Sequence, residues 1–379
     1  MRILFPYLAR WRSANWTRYH QLLGELARQG HEVLVFEPPP RPSRETNYTD
    51  LPIALPARLQ VRETPIPSAL WQRPLPLDKL VKKGLVAVLS GRSVARAVRE
   101  ERPDALLLYN IPQAGLVDQP TRVVFDIADD LVTMLDFELG PLARYGPRQV
   151  AARLYRHMLD RAAVVTTCSA GLQAEMDRPA VLVPNGVARD EIAQADGRAW
   201  RAHLSTPIVG FLGAFEYFVN FDLVLDAAAR LPDITFLLVG GGRAWAGVKA
   251  RAAARGLANV VLPGPVPHAV GLDYVAAMDV TLIPFSRDRV SDFAVPLKLF
   301  EYMALGKPVI TTPGYEIQRL AGPYVTVVQT ADEMVAAVQR DLAGGAEVRA
   351  RVADGQALVE SQYTWDRLAQ TFLRALQSG

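Results

Sequence analysis

The chain has 379 residues, 50% of them hydrophobic and 21% charged. That is more than one typical core organises, and it suits two domains of a soluble globular protein. A formal net charge of +3 excludes a strongly basic nucleic-acid binder while permitting a local basic patch. The lone cysteine, Cys168, excludes a disulfide framework and suits a reducing compartment. No run is long enough to span a bilayer, so any membrane contact is expected to be peripheral. Met1–Phe5 passes too quickly into polar sequence to serve as a signal peptide.

The first half reads as alternating strands and helices. Ile3–Phe5 is a buried-type strand, residues 16–29 a helix with Leu22, Leu23, Leu26 and Ala27 on one face, and His31–Phe36 the next strand after Gly30. This βαβ unit lacks the glycine fingerprint of a dinucleotide fold, which argues against NAD or FAD. Residues 38–76 are rich in Pro and Arg and predict long loops with one or two added strands. Residues 73–102 turn basic (Arg73, Lys79, Lys82, Lys83, Arg92, Arg96, Arg99, Arg102) and alternate with apolar positions. A helix of that kind suits a membrane surface, or simply an ordinary face packed on a core. Ala105–Tyr109 and Arg122–Phe125 are strands, and Asp126, Asp129 and Asp130 follow the second. Three acids at a strand end can supply a general base, hold a metal or cap the next turn. A helix over 147–160 and a strand over 163–168 follow, with Ser169 as an N-cap and Cys168 buried. Val181–Val183 is a strand that runs into Pro184-Asn185-Gly186-Val187, read as a cleft loop.

The second half repeats the pattern after a polar approach over 189–207. Ile208–Gly213 is a strand with a glycine exit, and Asp222–Ala229 a helix. Ile234–Val239 is a central strand running into Gly240-Gly241-Gly242-Arg243, where glycines let a backbone approach a ligand closely. Asn259–Leu262 is a strand broken by Pro263-Gly264-Pro265, Leu272–Ala277 a short helix, Val280–Ile283 a strand, and Pro284–Val295 a loop of mixed charge. A helix opened by Pro296 and closed at Gly306 leads into Val309–Thr311. Val325–Val328 is the last strand, and the remainder is helical. On the Pro296 helix, Lys298 and Glu301 lie three apart and share a face. They form either a solvated pair or, with the free N–H groups of the first turn, a seat for a diphosphate beside a carboxylate for ribose hydroxyls. Two successive βα series predict two three-layer α/β domains with the ligand crevice at the carboxyl ends of their strands.

Taken in order, Gly210–Gly213, Phe236–Gly240, Asn259–Gly264, Asp279–Phe285 and Pro296–Ile310 resemble the GT-B glycosyltransferases, particularly family-4-like (group 1) enzymes and bacterial exopolysaccharide and teichuronic-acid transferases. In the first half, Arg18–His31, Tyr109, Asp126–Asp130 and Pro184–Val187 resemble them too. The resemblance implies two Rossmann-like domains facing across a cleft. Residues 1–200 would bind the acceptor, 208–358 the nucleotide sugar, and 359–379 would cross back to the first domain. It places Gly213 near the phosphates, Gly240, Gly241 and Arg243 near the nucleoside, and Pro296, Lys298, Leu299 and Glu301 at the diphosphate and ribose. Related retaining enzymes carry a second glutamate eight positions before Glu301, where this chain has Phe293. An inverting reaction would take its base from Asp126, Asp129 or Asp130.

The resemblance further implies a nucleoside-diphosphate-sugar donor, UDP-sugar favoured, with no tightly bound cofactor and no metal. The acceptor would be an oligosaccharide or polyprenyl-linked saccharide, and nucleic acid would be no partner. A cytoplasmic location at the inner face of the plasma membrane follows, with contact through residues 73–102. Another GT-B activity, such as nucleotide-sugar epimerisation, and a non-catalytic glycan-binding role are the competing readings.

Overall fold

The computed structural model describes residues 1–13, 16–40, 54–67, 71–72, 78–204 and 207–378, with backbone alone for 78–80 and 83. The chain forms two compact units, Met1–Pro184 with Leu368–Gly379, and Asn185–Arg367.

Unit 1 is built on β1 (Arg2–Pro6), β2 (Glu32–Glu37), β3 (Leu59–Glu63), β4 (Ala105–Leu108), β5 (Arg122–Ile127), β6 (Val164–Thr167) and β7 (Val181–Leu182). They form one parallel sheet in the order β3-β2-β1-β4-β5-β6-β7. Its helices are α1 (Arg18–Arg28), α2 (Asp78–Glu101), α3 (Met134–Leu139), α4 (Pro147–Arg161) and α5 (Ala170–Ala174). Strands such as Ile3–Phe5 and Ala105–Leu108 are apolar at every position because helices cover both faces of a parallel sheet. The α1 stripe of Leu22, Leu23 and Leu26 is fully buried, and Ser169 caps α5 by accepting from the Leu172 N–H at 3.2 Å.

Unit 2 opens with two short helices, α6 (Arg189–Gln194) and α7 (Arg198–Arg201), where the sequence suggested only a polar approach. Its strands are β8 (Ile208–Leu212), β9 (Thr235–Val239), β10 (Val260–Gly264), β11 (Val280–Ile283), β12 (Val309–Thr311) and β13 (Thr326–Val327). They are parallel in the order β10-β9-β8-β11-β12-β13. Between them run α8 (Phe221–Arg230), α9 (Trp245–Ala254), α10 (His268–Ala277), α11 (Arg289–Phe293), α12 (Leu297–Ala304) and α13 (Tyr315–Ala321). Then come α14 (Ala331–Ala343) and α15 (Ala346–Gln362), and last α16 (Trp365–Ser378), which belongs to unit 1 from Leu368 onward.

Three local expectations change. Pro263 does not end β10: the strand continues to Gly264 with a shift in pairing after Val261, which an edge strand tolerates because proline's missing N–H can face outward. The segment 284–295 is not all loop, since Asp288 accepts from the Ser291 N–H at 2.9 Å and starts α11. Helix α10 begins at His268, four residues before the expected Leu272, directly after Pro267 at its N-cap.

Each sheet reverses its strand order at one point, between β1 and β4 in unit 1 and between β8 and β11 in unit 2. Ligands of doubly wound sheets bind at such points, outside the carboxyl ends of the strands.

Candidate functional site

The unit 2 reversal point is open because glycines end its strands. Gly213 follows β8 at φ +146, and Gly240 follows β9 at φ +136. A Cβ on Gly240 would stand 1.9 Å from the Gly213 carbonyl oxygen, so no larger residue fits there. Backbone hydrogen bonds tie the exits together: Gly213 N to Val239 O at 3.0 Å, Phe215 N to Gly241 O at 2.9 Å, and Gly240 N to Gly264 O at 3.0 Å. Arg243 lies on this rim, held to Glu216 at 2.6 Å and over the Tyr217 ring.

Helix α12 faces these exits. Pro296 is its N-cap in extended conformation, and Gly306 ends it at φ +63. Leu299 points into the core, while Tyr302 braces the far side of the site by accepting from the Leu212 N–H at 2.8 Å. Lys298 turns toward Gly213: a Cβ on that glycine would be 2.4 Å from Lys298 Nζ. The ammonium sits 3.9 Å from the centre of the Phe211 ring. Burial brings its pKa down to about 7, with Glu301 acting in the opposite direction. A lysine held this way is short of an anion, and an arriving diphosphate would complete its environment.

Glu301 is not a solvated partner for Lys298. Its carboxylate is buried and meets His268 Nε2 at 2.9 Å, and His268 Nδ1 in turn faces Glu191 of α6 at 3.4 Å. Burial opposes charge on His268, yet Glu301 and Glu191 together raise its pKa to about 9. Asn185 Nδ2 donates to Val295 O at 2.5 Å, fixing the residue that precedes the α12 N-cap. His268 and Glu191 carry no motif of their own, whereas Asn185 belongs to the Pro184–Val187 loop that the sequence marks as a cleft loop. Their pairing joins elements far apart in the chain, and only the Pro-His start of α10 hinted at it. A cavity of about 740 Å³ opens where the loops after β11 and β12 meet, lined by Arg287, Asp288, Arg289, Phe293, Tyr315 and others. Phe293, at the position of the second family glutamate, carries the Arg289 guanidinium 4.8 Å from its ring centre.

The three aspartates of unit 1 separate. Asp126 lies inside β5, paired in register with Thr166, and is fully buried. It accepts from Arg18 Nη2 at 3.1 Å and from the Thr166 hydroxyl at 2.6 Å, and its other oxygen faces Arg18 Nε at 3.0 Å as an ion pair. Asp130 is half-buried and caps a turn, accepting from the Thr133 N–H at 3.0 Å. Asp129 is exposed beyond the strand end. Among the described residues no group of His, Cys, Asp and Glu side chains is arranged to hold a metal ion, and no helix is long and apolar enough to cross a membrane.

Two Rossmann-like units, each with parallel strands flanked by helices, define the GT-B architecture. The whole chain superposes on a sucrose-phosphate synthase from Thermosynechococcus elongatus with a TM-score of 0.77, covering 100% of this chain and 98% of that one at 18% identity. It superposes on Anabaena HepE in complex with UDP-glucose with a TM-score of 0.69, covering 100% of both chains at 16% identity. Residues 15–189 match the glycosyl transferase 4-like domain, and residues 206–343 match the glycosyl transferases group 1 family. The chain belongs to this glycosyltransferase family. It is similar to the Bacillus subtilis (strain 168) protein described as a teichuronic acid biosynthesis glycosyltransferase, TuaH, at 28% identity over 219 residues. That match covers 54% of this chain and 53% of the relative, so the chain spans about half the relative's length.

Proposed function

We propose that the protein transfers a sugar from a nucleoside diphosphate to a saccharide or polyprenyl-linked hydroxyl in surface-polysaccharide synthesis. The observation that carries this reading is Lys298, whose Nζ is packed over the Gly213 exit at the β8/β11 reversal point with Glu301 on the same helix. A UDP-sugar suits unit 2. Its nucleoside would lie along Gly240, Gly241 and Arg243, its ribose at Glu301, its diphosphate at Lys298 and the first turn of α12, and its sugar toward the Phe293 cavity. UDP-glucose in the similar HepE structure supports the choice of nucleotide.

Unit 1 supplies the acceptor side. Asp129 is our base, because it is exposed beyond the strand end, whereas Asp126 is fully buried against Arg18 and Asp130 is half-buried. The acceptor oxygen attacks the anomeric carbon as its proton passes to Asp129. The bond from the anomeric carbon to the phosphate oxygen breaks, and its electrons leave with the diphosphate. Lys298 and the α12 N–H groups stabilise that charge. Phe293 leaves the donor face without the carboxylate of related retaining enzymes, which favours inversion.

Peripheral attachment to the inner face of the plasma membrane fits the outer surface of unit 1. Val81 and Val88 of α2 are exposed, as are Leu142, Tyr145, Val150 and Leu154 around the start of α4, where Arg144, Arg153 and Arg156 are exposed too. Of the basic residues in 73–102, Arg73 and the side chains of Lys79 and Lys83 lie outside the described residues, and Lys82 is buried under Trp71.

The test is binding of UDP-, GDP-, dTDP- and ADP-sugars followed by product analysis with lipid extracts as acceptor. A bound donor and a product of inverted anomeric configuration are expected. Absence of binding across the donors overturns the reading, and a retained configuration removes Asp129 as base. Co-sedimentation with phosphatidylglycerol vesicles, weakened by Leu142→Asp, checks the attachment.

A further inference from the structure

His268 lies outside every residue so far given a role with the donor, yet its ring is largely enclosed, with 10% of the side chain exposed, between two carboxylates. It occupies the first turn of α10, just past Pro267 and the exit of β10. Pro265 of the same loop packs on Gly241, where an added Cβ would come within 3.3 Å of the proline ring. His268 therefore stands at the nucleoside end of the strand exits.

Both of its ring nitrogens face carboxylates, Nε2 toward Glu301 at 2.9 Å and Nδ1 toward Glu191 at 3.4 Å. A neutral imidazole can donate from one nitrogen only and would turn a lone pair toward the other carboxylate. The imidazolium satisfies both. A helix N-terminus disfavours a cation, so the two carboxylates hold the charge there against the helix. The groups that bear on this arrangement are Glu301 and Lys298 of α12 and Glu191 of α6. Glu301 needs such compensation. Without His268 its buried carboxylate would face an incoming diphosphate with Lys298 as the cation acting on it.

Resting on the assignment of Glu301 to the ribose, we propose that His268 is the positioning residue for Glu301: it fixes one carboxylate oxygen and leaves the other aimed at the ribose hydroxyls of the donor. Glu191 in turn orients the imidazole ring. The selectivity of the site for a ribonucleotide is then set by a residue that does not touch the nucleotide.

The pKa of His268 lies near 9, raised by Glu301 and Glu191 against the effect of burial. Ribose selectivity is therefore greatest at neutral pH and declines in part as the solution is taken through about pH 9, where the neutral imidazole keeps a single donor for the two carboxylates.

The experiment uses the full chain and calorimetric titration. UDP, GDP and ADP are screened, and the one that wild type binds tightest is compared with its 2′,3′-dideoxy analogue. Wild type should favour the ribonucleotide by at least about tenfold, as expected for hydrogen bonds to a charged acceptor. In His268→Ala this preference should fall toward unity, while inorganic pyrophosphate, which has no ribose, loses little affinity. Glu301→Gln should show the same loss of preference, and the double variant no further loss. His268→Gln, whose amide can still donate to Glu301, should keep part of the preference but lose its pH dependence, and it serves if the alanine variant fails to fold. A folded His268→Ala that keeps the full preference overturns the proposal while leaving the donor site standing. Equal loss of pyrophosphate and ribose recognition also overturns it, in favour of a purely structural histidine. Failure of wild type to bind any of the three nucleotides removes the donor reading, and this inference with it.

Discussion

The two reversal points of the molecule follow opposite designs. In unit 2 the strands end in glycines of positive φ, Gly213 and Gly240, and one lysine reaches over the gap. In unit 1 the same topological position is filled. Tyr7 and Tyr109, just past β1 and β4, pack ring against ring with Phe5 of β1 and with each other, Tyr19 of α1 packs on Phe5 and Tyr109, and the Tyr109 hydroxyl accepts from the Leu8 N–H at 3.0 Å. Arg10, buried to 1% exposure, pairs there with Glu37 at 3.0 Å and Glu63 at 2.8 Å. A bare backbone edge presents N–H groups and dipoles to an anion, whereas a plugged edge presents a firm apolar surface with a carboxylate at its rim. The contrast suits a charged donor on unit 2 and a neutral hydroxyl acceptor on unit 1.

The largest expected effect tests whether the plugged edge is structural. Asp126→Ala leaves Arg18 buried without its carboxylate partner, and a broken buried pair costs about 3–5 kcal/mol. Chemical denaturation should show that loss, while Asp129→Asn should unfold like wild type. The latter should instead lose about 10²–10⁴-fold in transfer with donor binding retained. Full transfer by Asp129→Asn would reverse the roles given to these two carboxylates. On the open edge, Gly240→Ala forces a Cβ against the Gly213 carbonyl and holds alanine at a φ that costs about 1–3 kcal/mol. Nucleotide binding should be abolished along with a fall in melting temperature. Normal binding in that variant would show that the exits are not the donor seat.

The open edge of unit 2 is legible in the chain, for a physical reason, while the filled edge of unit 1 is not. Glycine exits and a Pro-started, Gly-ended helix are local signals, because each residue acts on its own backbone. The alternating strands and helices were legible for the same reason. Lys298 and Glu301 could be placed on one face by spacing, but spacing could not tell a solvated pair from two inward side chains with different partners. Asp126 shows the limit most clearly. From sequence it read as one of three acids past a strand end, while pairing of β5 with β6 carries the strand through it and Arg18, 108 positions away, neutralises it. His268, Glu191 and Asn185 become partners of the site only through tertiary packing.

Lys298→Met separates function from stability on the open edge. Methionine keeps most of the apolar contact with Phe211 and removes the half-buried ammonium. Turnover should fall about 10²–10³-fold through the lost stabilisation of the departing diphosphate. Thermal stability near pH 7 should hold or rise, since the folded protein disfavours the charged lysine there. A parallel loss of stability and turnover would make Lys298 a packing residue.

The smallest effect is a slope in pH, and its sign distinguishes the two half-buried bases of unit 2. Lys298 has its pKa lowered to about 7, so between pH 7 and its ordinary value of 10.5 the unfolded chain holds a proton that the folded one lacks. Its contribution to stability therefore rises with pH across that window. His268 is raised to about 9, so its contribution is complete below its ordinary value of 6.5 and is lost as pH rises through 9. The bound diphosphate should restore the charge on Lys298, which requires uptake of a proton above pH 7. Affinity for a UDP-sugar, whose diphosphate has no ionisation near neutrality, should then be flat below pH 7 and fall by up to about tenfold per unit above it. Titration calorimetry in buffers of different protonation enthalpy should show proton uptake by wild type and none by Lys298→Met. Proton release, or an uptake unchanged in Lys298→Met, would place the titrating group elsewhere than at the glycine exits.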